Sequence, residues 1–255
     1  MEGKVERYIK DELSRKGGLL FALIDPVDYK SGQAAAQAGI NAGEAGADII
    51  LVGGSMGAQG ELLDAVCKMI KEKSSVPVVL FPGNIATVSK YADALYFMSL
   101  LNSRNPYWIS QAQMLAAPII KKMGLEALPV GYIVVEPGGT VGFVGDANLV
   151  PRDRPQIAAA LALSAQLLGH RFVLTDSGSN PRTGPVPLDL VRAVSSQISI
   201  PYIVGGGIKT PKEAASVISA GADAVQVGTA IEQGSAKEKV RLLAEAVHQA
   251  GKKKL

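Results

Sequence analysis

One cysteine, two histidines and an almost balanced charge leave this 255-residue sequence short of the features that define several protein classes. The single Cys67 excludes an intramolecular disulfide framework and suits a reducing compartment. It falls in a helix-like stretch at 61–71, where a buried thiol is the simplest role. The histidines, His170 and His248, stand before the sixth apolar run and in the last helix-like segment, which disfavours a histidine acid–base pair or a His-ligated metal. No lysine interrupts an apolar run, so a Schiff-base aldolase is disfavoured too. The net charge is +3, from 26 basic and 23 acidic residues, and the only basic cluster is Lys252-Lys253-Lys254 at the end of the chain. Such a scattered excess gives no footprint for nucleic acid. No apolar run approaches the ~20 residues that span a bilayer, and the charged N-terminus has no signal-like core. A soluble, cytoplasmic protein with no integral membrane segment is expected.

What is present is an alternation. Short apolar, β-rich runs at 19–24, 47–52, 76–81, 94–98, 130–135, 171–175, 201–204 and 224–227 are separated by helix-period segments at 33–45, 61–71, 109–122, 156–168, 188–197, 211–220 and 236–250. Runs this uniformly apolar suit parallel strands covered on both faces. An open doubly wound sheet would share the pattern, but eight strands in about 250 residues favour a (β/α)8 TIM barrel. No linker-like stretch divides the chain, so one α/β domain over 1–255 is expected. Ala-Gly-Ala-Asp recurs at 45–48 and 220–223, which reads as a helix-ending glycine and a short turn into a strand. The segment between Phe81 and Ala94 is too short for loop, full helix and loop, so the helix between strands 3 and 4 is shortened or missing. That thinning is either a harmless deletion or a slot admitting a long ligand from the side.

Barrel chemistry sits at the carboxyl ends of strands. The run Gly205-Gly206-Gly207 precedes a helix start at Thr210-Pro211, and Gly228-Thr229 follows the eighth run. Backbone amides near a helix N-terminus bind anions, and barrels often hold phosphate after strands seven and eight, so a phosphate site is favoured over mere tight turns. Asp25 and Ser55 end adjacent strands. One carboxylate and one hydroxyl suit Mg²⁺ completed by waters and phosphates, a weak signal by spacing alone, and Asp25 could instead cap the turn before Pro26. With histidine set aside, proton transfer falls to carboxylates, and Glu136 and Asp176 are the candidates, each as readily a hydrogen-bonded loop residue as a catalytic one.

These strand ends resemble the geranylgeranylglyceryl phosphate synthase family, prenyltransferases that make the first ether bond of archaeal membrane lipids. The likeness is carried by Leu23-Ile24-Asp25-Pro26, Val52-Gly53-Gly54-Ser55, Leu80-Phe81-Pro82-Gly83-Asn84 and Ile203-Val204-Gly205-Gly206-Gly207-Ile208. Two long runs, from Phe97 to Trp108 and from Gly131 to Gly142, resemble the larger of the family's two subgroups. The resemblance implies Mg²⁺ held by Asp25 and Ser55 on a prenyl diphosphate. It implies sn-glycerol 1-phosphate bound by Leu174, Thr175, Asp176, Ser177, Gly178, Ser179 and Asn180 with Gly205, Gly206, Gly228 and Thr229. The prenyl chain would enter by the thin wall, and Asp176, with Glu136 as the comparable neighbour, would take the glycerol proton. The family usually ends its sixth strand in Tyr-Leu-Glu and its eighth in Gly-Asn. Here Leu174-Thr175-Asp176 and Gly228-Thr229 stand there, which implies a variant site.

The implied reaction joins a C20 prenyl diphosphate to the C3 hydroxyl of sn-glycerol 1-phosphate. The alternatives are a heptaprenylglyceryl phosphate synthase-like enzyme, another barrel acting on a phosphorylated sugar, or a non-catalytic phosphate-binding barrel. The family often assembles, so a homo-oligomer is expected, with Pro106-Tyr107-Trp108 either an interface anchor or core.

Overall fold

The eight apolar runs become eight parallel strands closed in sequence order, β1-β2-β3-β4-β5-β6-β7-β8. The computed structural model describes residues 2–54, 56–231 and 236–255. The strands are β1 (Leu19–Ile24), β2 (Ile49–Val52), β3 (Val78–Leu80), β4 (Ala94–Leu100), β5 (Glu126–Val134), β6 (Phe172–Asp176), β7 (Tyr202–Gly205) and β8 (Ala224–Val227). The helices are α1 (Lys4–Lys16), α2 (Gly32–Glu44), α3 (Gly60–Lys73), α4 (Ala112–Met123), α5 (Gly139–Val144), α6 (Pro155–Leu167), α7 (Leu188–Ser195), α8 (Pro211–Ser219) and α9 (Ala236–Lys252). This is the expected (β/α)8 barrel with two unexpected helices, α1 and α5.

Period-two alternation divides each strand between two cores. Leu19, Phe21, Ile49, Leu51, Val79, Tyr96, Val130, Phe172 and Ile203 fill the barrel, while Leu20, Ile50, Val173 and Val204 meet the helices. Helix α1 plugs the amino-terminal end of the barrel with Val5 and Ile9. The Glu126 carboxylate accepts from the Val5 and Glu6 amides, both at 2.9 Å, and buried Glu6 pairs with Arg171 at 2.7 Å. A sequence-only reading misses α1 because its few apolar side chains lie among charges and have a partner only once the barrel closes.

The Ala-Gly-Ala-Asp echo has a structural purpose. Gly46 and Gly221 take positive φ, 104° and 119°, in the turns into β2 and β8. The following Asp48 and Asp223 accept the amides of Leu20 and Tyr202 on the preceding strands, at 2.8 and 2.9 Å. Asp93 does the same for Val78 at 2.9 Å. His248 Nε2 donates to the Asp48 carboxylate at 2.9 Å, so it serves this tie at the amino-terminal end of the barrel. Cys67 is buried in α3, and burial pushes its thiol up to about 12.

Between β3 and β4 no helix forms. These strands pair only at Val79–Ala94 and Leu80–Leu95, whereas β4 and β5 pair from Ala94–Glu126 through Leu100–Tyr132. The outer face of β4 near Leu95 and Phe97 is therefore covered by a loop and by α4 instead of its own helix. Strand β5 starts four residues before the expected 130, running through Pro129, whose carbonyl accepts from the Arg171 amide at 2.9 Å.

Candidate functional site

At the carboxyl ends of the strands lies a cavity of about 670 Å³ with two chemically distinct halves. One half is polar and sits over the barrel mouth. The other is apolar and leaves through the gap between β3 and β4, bounded by Val88, Leu95, Phe97, Ala112, Ala116 and Ile120. Trp108 walls this groove from the π-type turn Tyr107–Gln111 that opens α4, so it is neither fully core nor free surface.

The floor of the polar half is Asp176. Only 7% of the residue is exposed. Its Oδ1 accepts from the Gly178 amide at 2.7 Å, and its Oδ2 accepts from the Tyr132 hydroxyl at 3.0 Å. Burial raises its pKa above the usual carboxylate range, and the two hydrogen bonds only partly oppose this. Tyr132 is itself held as a neutral donor, raised by burial and then by the neighbouring carboxylate. Tyr132 reaches Asp176 because Val134 is the register partner of Asp176 and Tyr132 lies two residues earlier on the same face.

Above Asp176 the backbone closes in. Gly206 and Gly207 adopt φ of 81° and 74° ahead of α8, whose start carries the expected cap: the Thr210 hydroxyl accepts from Glu213 N, and Glu213 returns the bond to Thr210 N. A side-chain carbon on Gly206 would come within 2.6 Å of Asp176 Oδ1 and 2.7 Å of the Gly178 carbonyl oxygen, so only glycine fits. Gly228 and Thr229 complete this rim, and Lys209 and Lys239 also border the cavity.

Across the mouth, Asp25 caps the turn Pro26–Asp28 by accepting from Val27 N at 3.2 Å. The side chain lies over Gly54, where any Cβ would overlap its carboxylate. Burial pushes Asp25 up to about 6; the Val27 bond opposes this, and the negative charge of Asp28 adds to it. Asp25 therefore caps this turn as one of its readings had it, and its carboxylate still borders the cavity. Ser55 lies outside the described residues. Among the described residues no three His, Cys, Asp or Glu side chains gather into a metal cage. Mg²⁺ needs none, because it keeps waters and takes most of its remaining oxygens from substrate phosphates. A hard, partly desolvated carboxylate with a second one beside it fits that ion.

Of the residues expected from sequence, Asp25, Asp176, Gly178, Ser179, Asn180, Gly206, Gly228 and Thr229 border one cavity. Four others do not. Leu174 packs in the barrel interior beneath Asp176. Thr175 points the opposite way, its Oγ1 bonded to the Tyr202 hydroxyl at 2.7 Å in the outer layer. Ser177 is buried behind Gly206, and Gly205 lies under the Asp176 carboxylate. Glu136 is also corrected. The chain beyond β5 turns to bond Val150, which leaves Glu136 exposed with its carboxylate accepting from Arg152 N at 3.4 Å. It does not border the cavity.

Sequence reasoning missed Phe81, Tyr96 and Tyr132. Phe81 meets the rings of Tyr96 and Tyr132 at 5.6 and 6.0 Å, forming an aromatic cluster between Asp25 and Asp176. It also missed Gln226, although a lone polar residue in the run Ala224-Val225-Gln226-Val227 is a legible signal.

Fold and cavity together define a class: a (β/α)8 barrel with a glycine-lined polar mouth, a buried carboxylate and an apolar side groove. Thiamine phosphate pyrophosphorylase from Pyrococcus furiosus, at 14% identity and a TM-score of 0.61, shares the barrel alone. The chain belongs to the PcrB family, whose model matches residues 16–247. It is 51% identical to a geranylgeranylglyceryl phosphate synthase of Pyrococcus horikoshii, over 96% of this chain and 95% of that one. A Thermococcus kodakarensis protein of the same name is 50% identical over 94% of each chain. The crystal structure of (S)-3-O-geranylgeranylglyceryl phosphate synthase from Thermoplasma acidophilum in complex with sn-glycerol-1-phosphate has 37% identity and a TM-score of 0.91, covering 98% of this chain and 100% of that one.

Proposed function

We propose that this chain is a geranylgeranylglyceryl phosphate synthase, joining C1 of geranylgeranyl diphosphate to the C3 hydroxyl oxygen of sn-glycerol 1-phosphate. The observation that carries the reading is the continuity of one cavity from the Gly206 cradle and Asp176 to the groove at Phe97 and Ile120. Names of half-identical relatives support it.

The amides about Gly206, Gly207 and Gly228 bind the glycerol phosphate, aided by Lys209 at the rim. The buried apolar groove takes the prenyl chain, gaining ~0.8 kcal/mol per CH₂ withdrawn from water. Asp25 would hold Mg²⁺, with Ser55, which lies outside the described residues, as the second ligand expected from sequence, and the ion would supply neutralisation of the diphosphate charge when bound. Asp176, oriented by Tyr132 and the Gly178 amide, accepts the C3 hydroxyl proton as the ether bond forms and the C1–O bond to diphosphate breaks. Phe81, Tyr96 and Tyr132 line the space between, where aromatic rings favour positive charge developing at allylic C1 by ~2 kcal/mol in a desolvated site.

No helix among the described residues is long and apolar enough to cross a membrane. The reading is of a cytosolic enzyme that meets its lipid substrate without a transmembrane helix among the described residues. Self-association belongs to the same proposal, supported by exposed Met114, Leu115, Ile119 and Met123 on α4.

Turnover with sn-glycerol 1-phosphate and a panel of prenyl diphosphates tests the reading. The C20 donor should give the ether product and diphosphate. Selective use of a C35 donor would make the chain a heptaprenyl enzyme, and no turnover with any donor would sink the proposal.

A further inference from the structure

Strand β8 carries one polar side chain in an otherwise apolar stretch, Gln226. Period-two alternation sends Val225 and Val227 to the helix layer and Gln226, like Ala224, to the barrel interior. The residue is 4% exposed, and its Oε1 has no hydrogen-bond partner among the described residues. Buried polar groups are nearly always paired, so a buried carboxamide with an open acceptor points to something outside the protein that completes it.

Register shows what it faces. Asp176 pairs with Gly205, and Gly205 pairs with Gln226, so the three stand in one row across β6, β7 and β8. All face inward, and the middle one has no side chain. Two strand spacings separate the outer pair by about 9–10 Å between Cα atoms. A Cβ at position 205 would sit 3.3 Å from Asp176 Cγ and Oδ2, so glycine keeps the space between carboxylate and carboxamide open. Asp176 and Gln226 both border the cavity, as do Gly206 and Gly228 above them. A ligand in this slot meets a proton acceptor on one side, a carboxamide that can accept and donate on the other, and anion-binding backbone above. That combination suits a short phosphorylated polyol with hydroxyls on adjacent carbons.

We propose that Gln226 is a specificity-determining residue for the acceptor. Its carboxamide hydrogen-bonds the C2 hydroxyl of sn-glycerol 1-phosphate, the hydroxyl that does not react, while Asp176 takes the C3 hydroxyl. The assignment rests on the glycerol-phosphate reading above and adds a residue and a substrate group to it. By fixing the secondary hydroxyl, Gln226 turns the C3 oxygen toward the allylic carbon and makes the site select a vicinal diol over a simple alcohol.

The test compares sn-glycerol 1-phosphate with its 2-deoxy analogue, propane-1,3-diol monophosphate, in the wild-type enzyme and in Gln226→Leu, which keeps the size and removes the polarity. The wild type should favour the diol by about 10–100-fold in kcat/KM, the range of one satisfied against one stranded hydrogen bond. In Gln226→Leu that preference should collapse toward unity, with the KM for the prenyl diphosphate unchanged. The unliganded variant should melt no lower than the wild type, because an unpaired buried group has been removed. An unchanged diol preference in Gln226→Leu would overturn the proposal. So would a lower Tm with equal loss for both acceptors, since that is what a structural glutamine would show. Calorimetric binding of the same two phosphates reads the preference without turnover. An inactive wild type that still binds the diol through Gln226 would therefore count against prenyl transfer and not against this assignment.

Discussion

Replacing Gly206 by alanine adds one carbon at the point where the cradle is tightest. That carbon would lie 2.6 Å from Asp176 Oδ1, 2.7 Å from the Gly178 carbonyl oxygen and 2.7 Å from Ser177 Oγ. Two of these neighbours cannot swing away: Gly178 O is backbone, and Asp176 is pinned by Tyr132 and by Gly178 N. The residue must also keep φ near 81°, which costs a non-glycine residue about 1–3 kcal/mol when enforced. The loop will relieve part of this by moving off the phosphate position. A loss of about 2 kcal/mol in phosphate binding corresponds to roughly 30-fold. In an initial-rate matrix varying both substrates, the apparent KM for sn-glycerol 1-phosphate should rise by about 10–100-fold, with that of the prenyl diphosphate within about twofold of wild type. Gly228→Ala is the companion change, since its Cβ would make only ordinary contact with Leu23 at 3.4 Å and no positive φ is involved. It should weaken the same substrate without lowering Tm. If Gly206→Ala raised both constants in parallel, or neither, the glycine cradle would not be the glycerol-phosphate site.

Asp176→Asn should lower kcat by about 10²–10⁴-fold with modest change in either KM, and Asp176→Glu should retain substantial activity. Normal turnover by the asparagine variant would remove Asp176 as base. Because burial raises the pKa of Asp176, the acid limb of the kcat pH profile should lie above the ordinary carboxylate range, with activity gained as pH rises through it; a limb near pH 4 would contradict that environment. Asp25, pushed up to about 6, must lose its proton to hold a cation, so the apparent Mg²⁺ affinity should fall as pH drops through about 6. Asp25→Asn should abolish that dependence together with most metal-dependent activity, and near-normal turnover at low Mg²⁺ in this variant would take Asp25 out of the metal site. Ala116→Trp should block the groove and shift preference toward shorter prenyl donors, read from products of a mixed-donor competition; unchanged selectivity would place the chain elsewhere.

The barrel was legible because its strands are buried on both faces and announce themselves as apolar runs, and because turn glycines such as Gly46 and Gly221 sit where positive φ is needed. The missing helix was legible from simple length. Elements whose stability comes from a distant partner were not. Helix α1 is defined by the barrel floor it plugs, and α5 forms over the mouth despite two glycines in Gly139-Thr140-Val141-Gly142-Phe143-Val144. At the site, the strand-end carboxylate and glycines could be read in order along the chain. Which neighbours face inward could not, because a one-residue step inverts the face: Thr175 and Asp176 are adjacent in sequence and opposite in the barrel. The Tyr132–Asp176 contact depends on β5–β6 register, which no local pattern encodes. Glu136 was misplaced for a similar reason, since the chain's turn toward Val150 is a long-range pairing.

The central claim is that one cavity brings a glycerol hydroxyl oxygen to an allylic carbon. Isotope labelling tests it most directly, using sn-glycerol 1-phosphate that carries ¹⁸O in the C3 hydroxyl with geranylgeranyl diphosphate as donor. Mass spectrometry should find the label retained in the ether product and absent from the released diphosphate. Label appearing in the diphosphate, or release of prenyl alcohol with no ether formed, would contradict it.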